Sequence, residues 1–142
     1  IRQQLENQPQ AVRDYSYPIL DSLKSGIRVD SVDMMYYALF RPSVQPYLIS
    51  WFSYNPADEI ARLDMPILVV QGSRDIQVPE TDAFRLLSAG KNIEMEIIEG
   101  MNHVLKASES DRQKNIATYK DPGLPVMPGL IDVLIRFIRT RT

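Results

Sequence analysis

The 142 residues contain no cysteine and a single histidine, His103. The missing cysteines exclude a disulfide framework and a thiolate metal site. With one imidazole and no thiol, zinc has almost no ligand set. No sign of charge is in excess either: 16 Lys and Arg against 18 Asp and Glu give a net charge of −2. No basic stripe breaks that balance, so the electrostatic footprint of a nucleic-acid partner is absent. No apolar run approaches the roughly 20 residues of a membrane span. A glycine-rich phosphate cradle is missing, as are internal repeats and low-complexity segments. No secretory leader is legible at the start. The chain begins at Ile1 rather than Met, so further natural sequence is expected before it and the compartment stays open, cytoplasmic or exported. What remains is ordinary. A 44% hydrophobic, 24% charged chain has the composition of a soluble globular domain, and its length suffices for a real core.

Two unlike parts follow one another. Residues 1–63 read as helices only. Val12, Tyr15, Ile19 and Leu23 recur at three- and four-residue spacing, one face of a helix. Pro18 falls inside that pattern and predicts a kink or a late start, and Gly26 is the expected stop. Val32 to Phe40 and Val44 to Phe52 predict two more short helices. Asn55-Pro56 followed by Asp58 and Glu59 is a capped helix start, running to about Leu63. From residue 64 the pattern changes. Ile67 to Val70 is a continuous apolar run, as in a strand buried on both faces. Residues 79–89 predict a helix, Ile93 to Ile98 a second strand, residues 106–125 a long polar loop, and Pro128 onward a final helix with a broad apolar face. This order predicts an α/β fold with two parallel strands. The loops at residues 72–79 and 100–105 then share the carboxyl edge of the sheet, where ligands gather in open α/β folds.

Asp75 lies on the first of those loops and His103 on the second. A carboxylate bonded to one imidazole nitrogen fixes the tautomer and supports the imidazolium, which is the orienting half of a Ser-His-Asp triad. The other nitrogen is then free to take a proton from a nucleophile. Each residue also has a plainer reading. Aspartate after glycine commonly bonds its own turn, and a lone histidine is more often a surface or packed residue than a base. Ser73, Arg74 and Asn102 read as residues that shape the loops. Met34, Met35, Tyr36, Tyr37, Trp51, Phe52 and Tyr54 read as core, or alternatively as the lining of an acyl pocket. Glu94, Glu96 and Glu99 read as a solvated face.

The stretch from Met65 to Lys106 resembles the C-terminal part of an α/β-hydrolase. Gly72-Ser73-Arg74-Asp75 and Gly100-Met101-Asn102-His103 match, in order, the G-x-x-D and G-x-x-H loops that carry the acid and base in that superfamily. Residues 117–138 are similar to the closing segment of esterase or acyl-peptidase-like members. Residues 46–66 are similar to the passage from a helical cap to the acid-bearing strand. The resemblance implies a helical cap and connecting helix over 1–63 and part of the hydrolase core over 64–142. It also implies catalysis by Asp75 and His103 on a small ester or acyl substrate, with no cofactor.

The departure is the nucleophile. The G-x-S-x-G elbow of the superfamily occurs nowhere in the chain. Because the superfamily order is Ser, acid, His, the expected elbow and oxyanion hole lie upstream of residue 1, and the chain alone should be inactive. A dehalogenase-like member with an aspartate at the elbow stays open, as does a non-catalytic α/β binding or assembly module. A truncated sheet would expose an edge, which predicts a homodimer through edge pairing or swapped helices.

Overall fold

The structure, a computed structural model, describes residues 1–141. The chain divides into two compact units, one of Ile1–Asn55 and one beginning at Pro56.

The first unit is helical: α1 (Arg2–Leu5), α2 (Gln10–Lys24), a 3-10 turn (Met34–Tyr36), α3 (Tyr37–Phe40) and α4 (Gln45–Phe52). Its core is Ile19, Leu20 and Leu23 of α2 with Phe40 and Leu48. Pro18 neither delays nor ends α2, which starts eight residues before it and runs through it. An internal proline costs about 3 kcal/mol. Burying Ile19, Leu20 and Leu23 beside it returns roughly 1.5–3 kcal/mol apiece, and Pro18 itself faces outward. Gly26 stops the helix in the left-handed region, at φ 78°. The Gly26 amide donates to Leu23 and the Ile27 amide to Ser22, the paired bonds of a Schellman cap. Gln45 is fully buried. Its Oε1 accepts from the Val29 amide at 2.9 Å, and its Nε2 donates to the Val29 and Phe40 carbonyls at 2.8 and 2.9 Å. One side chain thus pins the extended segment after α2 to α4. Tyr36 and Phe52 pack on this core. Met34, Met35, Tyr37, Trp51 and Tyr54 are exposed instead, because five buried apolar residues leave too small a core to cover them.

The second unit is mixed α/β: α5 (Pro56–Ala61), β1 (Ile67–Gly72), α6 (Glu80–Ala89), β2 (Ile93–Ile98), α7 (Arg112–Thr118) and α8 (Pro128–Arg139). The strands pair in parallel, from Ile67 opposite Ile93 to Gly72 opposite Ile98. The unit boundary falls at Asn55 rather than Leu63. The reason is that α5 packs against α6, so the helix before the first strand belongs with the sheet. Two further expectations are corrected. The polar stretch 106–125 is not all loop: Asp111 caps α7, its carboxylate accepting from the Lys114 amide at 2.9 Å. Ile67 to Val70 are half-buried rather than covered on both faces, since β1 has only β2 beside it among the described residues. On α8, Leu130 is buried with Ile98 and Met101, while Ile131, Leu134, Ile135 and Ile138 remain exposed. Arg136 and Arg141 bind Glu96 and Glu94 of β2, so those acids face solvent but fasten the last helix and its end to the sheet.

Candidate active site

The loops leaving β1 and β2 are tied together before either carries a side chain of interest. The Ser73 amide donates to the Ile98 carbonyl at 3.1 Å, and the Arg74 amide to the Met101 carbonyl at 2.9 Å. Ser73 Oγ accepts from the Gly100 amide at 2.9 Å. Gly72 is required by this approach: a Cβ there would stand 2.1 Å from the Met101 carbonyl oxygen. Gly100 is required by its conformation, φ 77°, which side chains other than glycine seldom adopt. The first position of each G-x-x-D/H match therefore has its own steric reason.

Asp75 and His103 meet at this edge. Asp75 Oδ2 lies 2.8 Å from His103 Nδ1. Asp75 Oδ1 accepts from the Gln77 and Val78 amides at 2.8 and 2.9 Å, an Asx turn. The carboxylate side chain is only 7% exposed, against 39% for the imidazole. Burial alone would raise the carboxyl of Asp75. The Val78 amide, the His103 ring bond, the Gln77 amide and the imidazole charge together outweigh it and hold the group below the usual carboxylate range. Asp75 is therefore an anion that can orient a ring N–H at Nδ1. Among the described residues, Nε2 of His103 makes no hydrogen bond, so the basic nitrogen is free.

The turn that presents His103 is organised by Asn102, which is buried. Its Oδ1 accepts from the Val104 and Lys106 amides at 3.2 and 3.1 Å. Its Nδ2 donates to Asn115 Oδ1 at 3.2 Å and to Thr118 Oγ1 at 2.6 Å. Leu105, at φ 62°, closes the turn through its amide on the Asn102 carbonyl at 3.0 Å. A leucine in that region costs of order 1 kcal/mol, and the surrounding bonds hold it there. Asn115 on α7 is also buried and donates to the Arg74 carbonyl at 2.8 Å. The sequence reading missed Asn115. Its one signal is an asparagine, a poor former of helix interiors, inside a short segment started by a capping aspartate.

The remaining candidates fall elsewhere. Ser73 and Arg74 shape the loops, and Arg74 also pairs with Glu99 at 3.6 Å. Among the described residues no cluster of three His, Cys, Asp or Glu side chains could hold a metal ion. None of the described helices is long and apolar enough to cross a membrane. No protein-family model, curated protein or solved structure matches the chain.

Proposed function

We propose that this chain carries the acid and the base of a serine hydrolase, on the C-terminal part of an α/β-hydrolase fold with a helical cap segment before it. One observation supports this above the others: a nearly buried Asp75 carboxylate bonds His103 Nδ1 while Nε2 is left unbonded. That is the polarity a triad requires. A serine outside these 142 residues attacks the carbonyl carbon of an ester or related acyl group, and its proton passes to Nε2. The new C–O bond forms as the carbonyl becomes an oxyanion. When the bond to the leaving group breaks, Nε2 returns the proton to that group. A water then gives a proton to the same nitrogen as its oxygen bonds the acyl carbon, and when the bond to the serine oxygen breaks, Nε2 returns that proton to the serine and the acid departs. Throughout, Asp75 holds the ring and supports its positive charge without taking the proton.

In the full-length gene product, Asp75→Asn should lower turnover of a chromogenic ester by about 10⁴, the cost of neutralising the acid in the parent triad. Near-normal hydrolysis by that variant refutes the reading. The 142 residues alone should hydrolyse no ester, and His103-dependent hydrolysis by them would place the nucleophile inside the chain and overturn this division of parts. A binding or assembly module is the competing reading, favoured by the exposed Ile131, Leu134, Ile135 and Ile138 of α8. A full-length product with no hydrolase activity that associates through those residues would decide for it.

A further inference from the structure

We propose that Asn115 is a positioning residue that holds the Asp75 loop and the His103 loop in one frame. The inference rests on the reading of Asp75 and His103 as acid and base, and deepens it. Each loop has internal bonds that set its own shape. Asp75 Oδ1 fastens the turn through Val78, and Asn102 Oδ1 fastens the turn through Lys106. Neither set fixes one loop against the other. On the strand side that task falls to the Arg74 amide and Ser73 Oγ. On the opposite side it falls to Asn115.

The side chain of Asn115 reaches the residue immediately before each member of the pair. Nδ2 donates to the carbonyl of Arg74, next to Asp75, at 2.8 Å. Oδ1 accepts from Asn102, next to His103, at 3.2 Å. The amide serves both at once, its nitrogen donating to one loop and its oxygen accepting from the other. Thr118, one turn further along α7, completes the bridge: its hydroxyl accepts from Asn102 and donates to the Asn115 carbonyl at 2.7 Å. Asn115 and Asn102 are both 1% exposed, so water cannot substitute for a lost partner. The 2.8 Å contact between Asp75 and His103 therefore depends on a helix that, among the described residues, hydrogen-bonds neither side chain. Misplacement of a reacting group by about 1 Å is enough to cost about 10²-fold in rate.

With a single histidine in the chain, its ring N–H gives one NMR signal, and Asp75→Ala supplies the position of the unbonded state. In the 142-residue chain, Asn115→Leu should move that signal most of the way to the Asp75→Ala position. It should also speed exchange of the proton with water about tenfold, the scale of one net hydrogen bond. Thr118→Val should shift it in the same direction by less, and decides the matter if Asn115→Leu does not fold. Gln45→Leu removes the three hydrogen bonds of a buried side chain in the first unit and should leave the signal in place, which separates positioning from general destabilisation. In the full-length product, Asn115→Leu should lower kcat by about 10²-fold with little change in KM. Folded Asn115→Leu and Thr118→Val with an unmoved signal overturn the proposal and leave the hydrolase reading standing. A moved signal in a gene product that hydrolyses no ester does the reverse.

Discussion

Gly72→Ala adds one methyl group, and the structure places it against backbone that cannot turn aside. The new carbon would stand 2.1 Å from the Met101 carbonyl oxygen and 2.6 Å from its carbon. Non-bonded heavy atoms rest at roughly 3.5 Å, so the two loops must part by about 1 Å or more. That separation carries the Arg74 amide, now 2.9 Å from the same oxygen, beyond hydrogen-bond reach. Overpacking at a tight site costs about 1–3 kcal/mol, and a hydrogen bond lost between buried groups adds about 1 kcal/mol. The expected loss of stability is therefore about 2–4 kcal/mol, read as a lower urea midpoint at unchanged slope. The ring N–H signal of His103 should shift with it, because Met101 lies two residues from His103. Gly129→Ala is the control. Its nearest neighbour outside the helix is Ile98 Cγ2 at 3.9 Å, ordinary contact distance, and alanine gains up to about 0.5–1 kcal/mol over glycine in a helix. The same substitution should thus be destabilising at residue 72 and neutral or stabilising at residue 129. A Gly72→Ala chain with the parent's midpoint and the parent's His103 signal would refute the close-approach argument.

Two further outcomes follow from the same geometry. The folded state holds Asp75 below the ordinary carboxylate range, so its contribution is complete above the unfolded value of about 3.9 and is lost as pH falls through the lower folded value. The stability difference between parent and Asp75→Asn should therefore be larger at pH 6 than at about pH 3, by urea unfolding; a difference that grows on acidification contradicts the direction of the shift. The edge of β1 left unpaired among the described residues and the exposed apolar residues of α8 should make the 142-residue chain associate, because open strands template pairing and a two-stranded sheet is marginal alone. A well-folded monomer by light scattering at high concentration refutes this.

What was legible in the sequence follows from how each element earns its stability. The sequence places β2 residue for residue at Ile93–Ile98 and β1 from its start at Ile67. Short apolar runs between turn residues have few other uses. Pro128 marked the start of α8 because proline fits the first helical turn. By contrast α7 has no apolar stripe. Its one buried residue is Asn115, stabilised by hydrogen bonds to groups 13 and 41 residues away. No local pattern encodes such partners, so the segment reads as loop in the sequence. The extent of burial was legible only in part. Apolar spacing on α8 and β1 shows which side chains favour cover. It does not show what covers them, and Ile131, Leu134, Ile135 and Ile138 stand exposed. The unit boundary is legible only in part: the change from helical to strand pattern is visible near residue 64, but the packing of α5 on α6 is not.

Asp75 shows why the two readings of an aspartate after glycine need not compete. Oδ1 is the turn residue, bound to the Gln77 and Val78 amides, and Oδ2 is the partner of His103. The turn makes the second role possible, since amides on one oxygen fix the plane of the carboxylate and lower its proton affinity. The division also separates two substitutions. Asparagine keeps an oxygen for the turn but sets an N–H group against the ring N–H of His103, so Asp75→Asn removes the orientation of the imidazole and spares the loop. Alanine removes both, leaving two amides without their acceptor at about 1 kcal/mol each. Asp75→Ala should therefore unfold at lower urea than Asp75→Asn, while the proposed triad requires both to be equally defective in ester turnover in the full-length product. Equal stability of the two variants would mean that the turn bonds contribute nothing. An active Asp75→Asn would mean that the imidazole is oriented by something other than this carboxylate.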